Sequence, residues 1–506
     1  MSRRNVARLV MVAWIAALAW LAQRQLFPGE ASSLTAGAAR LSPDARYYRV
    51  DAGTLQLGVM NLTWDTLATG FSVNELLALD LPAGDAVRRH LRSTDIVTTR
   101  ALTLRSAVRI ATSPSGRQEV RLEVVNDSSQ AYSLRSGDRG VVVPRISRDG
   151  AVTLPELLPL RLAFGGRLAG GEALGEEVAD LERRATGRIE GRVAGDSVFI
   201  LPDSVEFDTA GGRWRTVTLD TVSAWRLELV RGGLPERWWV DGQGRLVRLE
   251  TAFGVTLQRA PFDYTHTLYR DSLRLGGVVP RMVVSGVRSL AASGIRLDTM
   301  ATRASYRLAR VDGPVTSEQV AALSGGMQQA EGTVVTITRG WPDREGEPPA
   351  GHFPGRPITG RLRLLADTAF AGARTGRDSV IALTRWIARR FAVDTNTSAA
   401  PEPGLAPPPA ALTPDAMAGL AVSLAQAGGF PARPVNGLAV TEGGLLAHGW
   451  AEIWIGGDWV PVDPASGHAP ASARLLRVAV GGLGRPFETL LRAAALRVEP
   501  LTPDGR

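Results

Sequence analysis

Residues 447–467 read "AHGWAEIWIGGDWVPVDPASG", and the fold turns on how this stretch pairs with itself. Gly456-Gly457 fits a two-residue hairpin turn, which sets Ile455 opposite Asp458. Ile453 then faces Val460 and Ala451 faces Val462, which makes one apolar face. Side chains alternate along a strand, so Trp450 and His448 fall on the other face, and Asp463 joins them there. His448 becomes the diagonal neighbour of Asp463, within side-chain reach. An aspartate so placed orients an imidazole through its ring N–H, which supplies two parts of a nucleophile–His–Asp site. The third part has to come from upstream.

Upstream lies "LTPDAMAGLAVSLAQAGGFPARPVNG", residues 412–437. Thr413 is a good N-cap, Pro414 suits the first helical position, and Asp415 falls in the first turn. Met417, Leu420, Ala421, Leu424 and Ala425 share one face, and Gly428-Gly429 ends the helix. An earlier helix, "RDSVIALTRWIARRF", carries the stripe Val380, Leu383, Ile387 and Phe391. Ser423 lies more than two turns into its helix, too far along to reach His448.

The segment Gly429–Gly437, His448, Trp450, Glu452, Trp459 and Asp463-Pro464 resembles the transglutaminase-like superfamily in order and spacing. The resemblance covers about 360–506 and implies a papain-like α+β fold. In active members a cysteine at a helix start attacks a glutamine or peptide carbonyl, and histidine and aspartate assist. By that resemblance His448 and Asp463 are the catalytic pair, and Trp450, Glu452 and Trp459 line the substrate side. The nucleophile position falls on Pro414, with Thr413 adjacent. Proline has no nucleophile, and an N-cap threonine turns its oxygen toward backbone N–H groups. The triad is therefore degenerate.

Composition narrows the chemistry further. The 506 residues contain no cysteine, which excludes a thiol nucleophile, thiolate metal sites and disulfides. None of the five histidines, His90, His266, His352, His448 and His468, has another at the spacing of a helical zinc pair. No metal or cofactor is expected. The formal charge is +8, carried by arginine alone, because the chain has no lysine. The arginines are dispersed rather than clustered, which argues against a nucleic-acid partner.

The chain opens "MSRRNVARLVMVAWIAALAWLAQRQLF", basic residues followed by an uncharged apolar run from Leu9 to Gln23. This predicts a signal anchor or transmembrane helix over 1–27, which a cleaved signal would also match. The basic flank places the remainder outside the cytoplasm, in the periplasm or at the cell exterior, on a single-pass anchor in the cell membrane. Residues 28–46 read as a stalk, and 47–338 as a β-rich domain of one or two units. A Pro/Gly-rich linker follows over 339–360, and then the transglutaminase-like domain over 361–506. "ERWWVDGQGRLVRLET", 236–251, is the clearest hairpin of the front half, and the segment 170–187 offers a helix. The front half also resembles the half-barrel sheets of envelope lipid- or lipoprotein-carrier domains.

The predicted class is α+β, with a membrane helix, a large antiparallel β-rich domain and a C-terminal transglutaminase-like domain. Three functions stand open. One is a non-catalytic, cysteine-less domain that binds a peptide, a protein or an envelope polymer. A second is an amide hydrolase or acyltransferase that uses Thr413 or a water activated by His448. The third is a lipid or lipoprotein carrier working through the β-rich domain.

Overall fold

The computed structural model describes residues 30–267 and 301–501 with interruptions, the longest being 347–359, 394–410 and 481–495, together with Met11 and Trp14. The expected membrane segment lies outside the described residues apart from those two. Among the described residues no helix is long and apolar enough to cross a membrane. The region expected as a stalk contains helix α1 (Glu30–Ala38). Its Leu34 and Ala38 are buried with Phe71, Leu102 and Leu160, so this segment packs on the body of the protein.

Fourteen antiparallel strands form one sheet made of two meanders. The first comprises β1 (Asp44–Ala52), β2 (Leu55–Leu67), β3 (Gly70–Ala83), β4 (Ala86–Thr99), β5 (Leu104–Ser113), β6 (Gly116–Asn126), β7 (Ser129–Ser136) and β8 (Arg139–Ser147). The second comprises β9 (Ala173–Asp180), β10 (Ala185–Asp208), β11 (Arg213–Arg231), β12 (Leu234–Asp241), β13 (Leu246–Glu250) and β14 (Val255–Ala260). They join where β1 pairs with β14. Residues 173–180, where the sequence offers a helix, are strand β9, and the local helix is α2 (Leu158–Phe164).

The sheet curls around α2, because the alternating apolar residues of both meanders need a common interior. Leu158 and Leu162 of α2 are buried among Tyr48, Leu57, Leu77, Ile189, Leu227, Trp238 and Leu257. The hairpin at 236–251 turns as its glycines require. Asp241 Oδ1 accepts from the N–H groups of Gln243 and Arg245, both at 2.9 Å, and Gly244 takes φ +73°.

The span 47–338 contains strands of two different sheets. β15 (Arg303–Arg310), β16 (Gly313–Pro314), β17 (Gln328–Glu331) and β18 (Val334–Thr338) form a second sheet, with helix α3 (Ser317–Ala321) between β16 and β17. The C-terminal strand β25 (Leu496–Leu501) pairs with β15, so residues 303–338 are stitched to the chain's end.

The C-terminal unit has helices α4 (Gly360–Ala369), α5 (Gly376–Arg390) and α6 (Pro414–Ala427), and short strands β19 (Ala392–Val393) and β20 (Ala411–Leu412). Its sheet runs β23-β22-β21-β24, from β21 (Ala432–Thr441), β22 (Gly444–Ile455), β23 (Asp458–Val462) and β24 (Leu475–Val480). Thr375 and Asp378 form a capping box that starts α5, and Val380, Leu383, Ile387 and Phe391 are all buried. The small residues of α6 let it bury almost its whole surface against α4, α5, Ala451, Ile453, Val460 and Val462. A third core binds the sheets together. It holds Leu234 of the large sheet, Phe253 of its β13–β14 turn, Tyr306 and Val335 of the second sheet, and Leu438 and Leu476 of the last.

Candidate functional site

The hairpin β22–β23 has the register that parity requires. Ile455 pairs with Asp458, Ile453 with Val460 and Ala451 with Val462 across Gly456-Gly457, both at positive φ. His448 Nε2 lies 3.1 Å from Asp463 Oδ1. Asp463 is held from three sides. Its Oδ1 also accepts from the Ala465 N–H at 3.1 Å, and its Oδ2 accepts from the Ser466 hydroxyl at 2.7 Å. Its backbone closes a loop with His468, N–H to O at 2.9 and 3.1 Å in the two directions. Ser466 thus fixes the carboxylate that fixes the imidazole, a role with no signature in the sequence beyond its place three residues after Asp463.

Both members of the pair are buried. Burial alone would raise Asp463, yet the His448 charge and the donors from His448, Ser466 and Ala465 outweigh it and hold the carboxyl below its usual range. For His448, burial opposes the charged form. The charge and hydrogen bond of Asp463, with the charge of Asp415, overcome it and raise the imidazole above its ordinary value.

Asp415 is the residue that sequence reasoning undervalued. It reads as a first-turn acid, and it is one. Its carboxyl is also pressed against the backbone of Gly449, between His448 and Trp450, where a Cβ would collide with Oδ1. Burial pushes this carboxyl up, against the pull of His448. The glycine after His448 is the signal that could have found it, since only glycine leaves that space. Gly437 has a similar duty. A Cβ there would strike Leu476 O and the ring of Trp450.

The remaining site residues divide. Trp450 is buried, stacks beside His448 with centroids 6.4 Å apart, and leaves its Nε1 buried without an acceptor. Glu452 is also buried, and both its oxygens are engaged. Arg433 Nε and Nη2 donate to Oε2 at 2.8 and 2.5 Å, and Arg477 Nη1 donates to Oε1 at 3.3 Å. It clamps the sheet through both oxygens. Trp459 lies under the Arg433 guanidinium at 4.0 Å and meets Trp454 edge-on at 5.3 Å. Pro414 is the first residue of α6, and Thr413 lies outside the described residues. Ser423 donates to Gly419 O within the helix, at 2.9 Å. Strand alternation sets His448 and Trp450 on the face away from Ala451 and Ile453, so α6 reaches the site through Gly449. Among the described residues, the hydrogen-bond partner of the His448 ring is Asp463.

Residues 363–464 match the family model of the transglutaminase-like superfamily. The chain carries a transglutaminase-like domain. It does so without a cysteine anywhere in its 506 residues. Among solved structures, a candidate cysteine protease from Cytophaga hutchinsonii is 19% identical over 27% of this chain and 45% of its own, with a TM-score of 0.19. This chain therefore spans less than half the length of that protein. A beta-barrel-like protein of a domain of unknown function from Brucella abortus is 10% identical over 44% of this chain and 96% of its own, with a TM-score of 0.29. No curated protein matches the chain.

Among the described residues no group of three histidine or acidic side chains could hold a metal ion. The site offers an oriented imidazole, two carboxyl groups of opposite tendency and a buried indole N–H.

Proposed function

We propose that the chain is a membrane-anchored, extracytoplasmic protein whose transglutaminase-like domain binds a peptide or envelope polymer and forms no acyl-enzyme. The carrying observation is the carboxyl of Asp415 at the start of α6, in a chain without cysteine. A thiol site works because a thiolate already stands beside an imidazolium. Here the group at the start of the helix beside the imidazole is a carboxyl, which lacks the thiolate's nucleophilicity toward an amide in either protonation state. The free N–H of Trp450 beside His448 supports binding, since a ligand carbonyl would satisfy it.

The rival reading, a water or Thr413 hydroxyl activated by His448, draws support from the intact 3.1 Å contact to Asp463. It requires a neutral imidazole to accept a proton. Asp463 and Asp415 both favour the protonated ring, which leaves less of the imidazole neutral than in a free histidine. The binding reading is therefore preferred.

The test is an amide-turnover assay of the purified chain with a glutamine peptide and an amine donor. The expected outcome is background release that His448→Ala and Asp463→Ala leave unchanged. Turnover abolished by either substitution would overturn the reading in favour of the hydrolase or acyltransferase.

A further inference from the structure

Among residues of the large sheet lies a cavity of about 100 Å³, none of whose lining residues belongs to the transglutaminase-like domain. Its lining comes from β2–β4, from β11–β14 and from the segment 155–160 that enters α2. Most of its wall is apolar, with Met60, Trp64, Leu77, Trp238, Leu246 and Leu257 among its residues. Three glutamates interrupt that wall, each with an arginine. Arg92 Nη2 donates to Glu75 Oε1 at 2.9 Å, Arg231 Nη2 to Glu236 Oε1 at 3.0 Å, and Arg109 Nη2 to Glu156 Oε1.

Buried ion pairs are a costly way to fill the interior of a sheet. The desolvation of both charges offsets their attraction, and apolar side chains of equal volume do as well or better. Their presence around an open space needs another reason. Two of the three pairs leave no buried oxygen wanting. Glu236 gives Oε2 to Trp238 Nε1 at 3.1 Å as well as to Arg231. Glu156 differs. Its side chain is nine-tenths buried, it lines the cavity, and its Oε2 accepts no hydrogen bond. A buried carboxylate oxygen without a donor carries a desolvation penalty that a partner removes.

We infer that this cavity is a binding site for a small amphiphile, with a short alkyl body against the apolar wall and a hydrogen-bond donor head, hydroxyl or ammonium, on Glu156 Oε2. An engineered cavity of about 150 Å³ lined by apolar side chains holds a benzene-sized guest, so this one suits a short alkyl segment. The unmet group is an acceptor. A carboxylate head would bring a second acceptor to it and is disfavoured. The site is independent of the transglutaminase-like domain and stands or falls without it.

The head-group rule allows a test with three probes that share one chain: 1-hexanol, hexylamine and hexanoate. Binding to the full chain is read by saturation-transfer NMR titration. Hexanol and hexylamine are expected to bind at least about tenfold more tightly than hexanoate, the scale of a hydrogen bond to a charged group. In Glu156→Gln the amide can offer N–H where Oε2 stood, so the preference for hexylamine should fall by a similar factor. Leu249→Trp, which fills the cavity from a partly exposed wall position, should weaken all three. The inference is overturned if wild type binds none of the probes above the Leu249→Trp background, the result expected of a cavity that holds water only. It is equally overturned if hexanoate binds as well as hexanol, or if Glu156→Gln leaves the order unchanged.

Discussion

Gly449→Ala tests whether Asp415 tunes the site. The added Cβ would run into Asp415 Oδ1, and it would stand 3.0 Å from Cγ and 3.1 Å from Cα of the same residue. Van der Waals separation then requires the carboxyl to retreat by on the order of 1 Å or more. The close approach of the Asp415 backbone leaves α6 little room to follow. Overpacking of this kind costs roughly 1–3 kcal/mol. The functional consequence has a definite sign. Burial depresses His448, and Asp463 with a smaller contribution from Asp415 more than restores it, so moving the Asp415 carboxyl away lowers the imidazole. His448 stabilises the fold fully below the unfolded value near 6.5, and that contribution is lost as pH rises through the raised folded value. Asp463, held low, contributes above its unfolded value near 3.8 and loses this as pH falls through its folded value. In Gly449→Ala the alkaline loss should begin at lower pH and the acid limb should keep its place. NMR titration of the His448 ring and hydrogen exchange in β22 against pH measure both. An unchanged His448 titration in a folded Gly449→Ala protein would refute the coupling to Asp415.

Glu452→Gln should destabilise the C-terminal unit by about 3–5 kcal/mol, since it leaves the buried Arg477 and Arg433 without their charge partner. Arg192→Ala in the exposed Arg192–Glu228 pair should cost less than about 1 kcal/mol in the same denaturation series. Pro414→Cys should react slowly with iodoacetamide and restore little transamidation, because Asp415 already occupies the charge position near His448. Rapid, His448-dependent alkylation would refute this. Reporter fusions after residue 46 should register outside the cytoplasm, and a cytoplasmic readout would remove the envelope context.

Strand alternation carries most of what was legible. The two-glycine turn fixed the register of β22–β23, and parity alone then put His448 beside Asp463. The stripe Val380, Leu383, Ile387 and Phe391 likewise named the buried face of α5. The misses share a cause, which is contact between segments distant in sequence. Nothing local in 173–180 says that the segment pairs with β10 across eight residues. Nothing in 303–310 shows that its neighbour is the last described strand, nearly two hundred residues on. Residues 30–38 are small and polar enough to pass for a stalk, and only the docking of Leu34 and Ala38 beside Phe71 shows otherwise. Glu452 matched a motif that also holds Arg433, and its second arginine, Arg477, comes from β24, which the motif does not contain.

The domain keeps the costly part of a thiol site and lacks the cheap part. A buried imidazole held by a buried carboxylate, itself fixed by Ser466 and the Ala465 N–H, demands desolvation of two ionisable groups. Apolar residues would pack the same hairpin without that cost, as Val460 and Val462 do on its other face. Keeping the pair without a thiol makes sense if the charge arrangement itself is the working part. One imidazolium between Asp463 and Asp415 leaves the cluster with an excess of negative charge whenever both carboxyls are ionised. Asp415, pushed up by burial, is the member that yields first as pH falls. A ligand that donates to Asp415 or carries positive charge would relieve that excess. Under the proposed binding function, a ligand's carbonyl would satisfy the free N–H of Trp450. A peptide amide offers both an N–H donor and a carbonyl acceptor, which is the chemistry the proposed binding function requires.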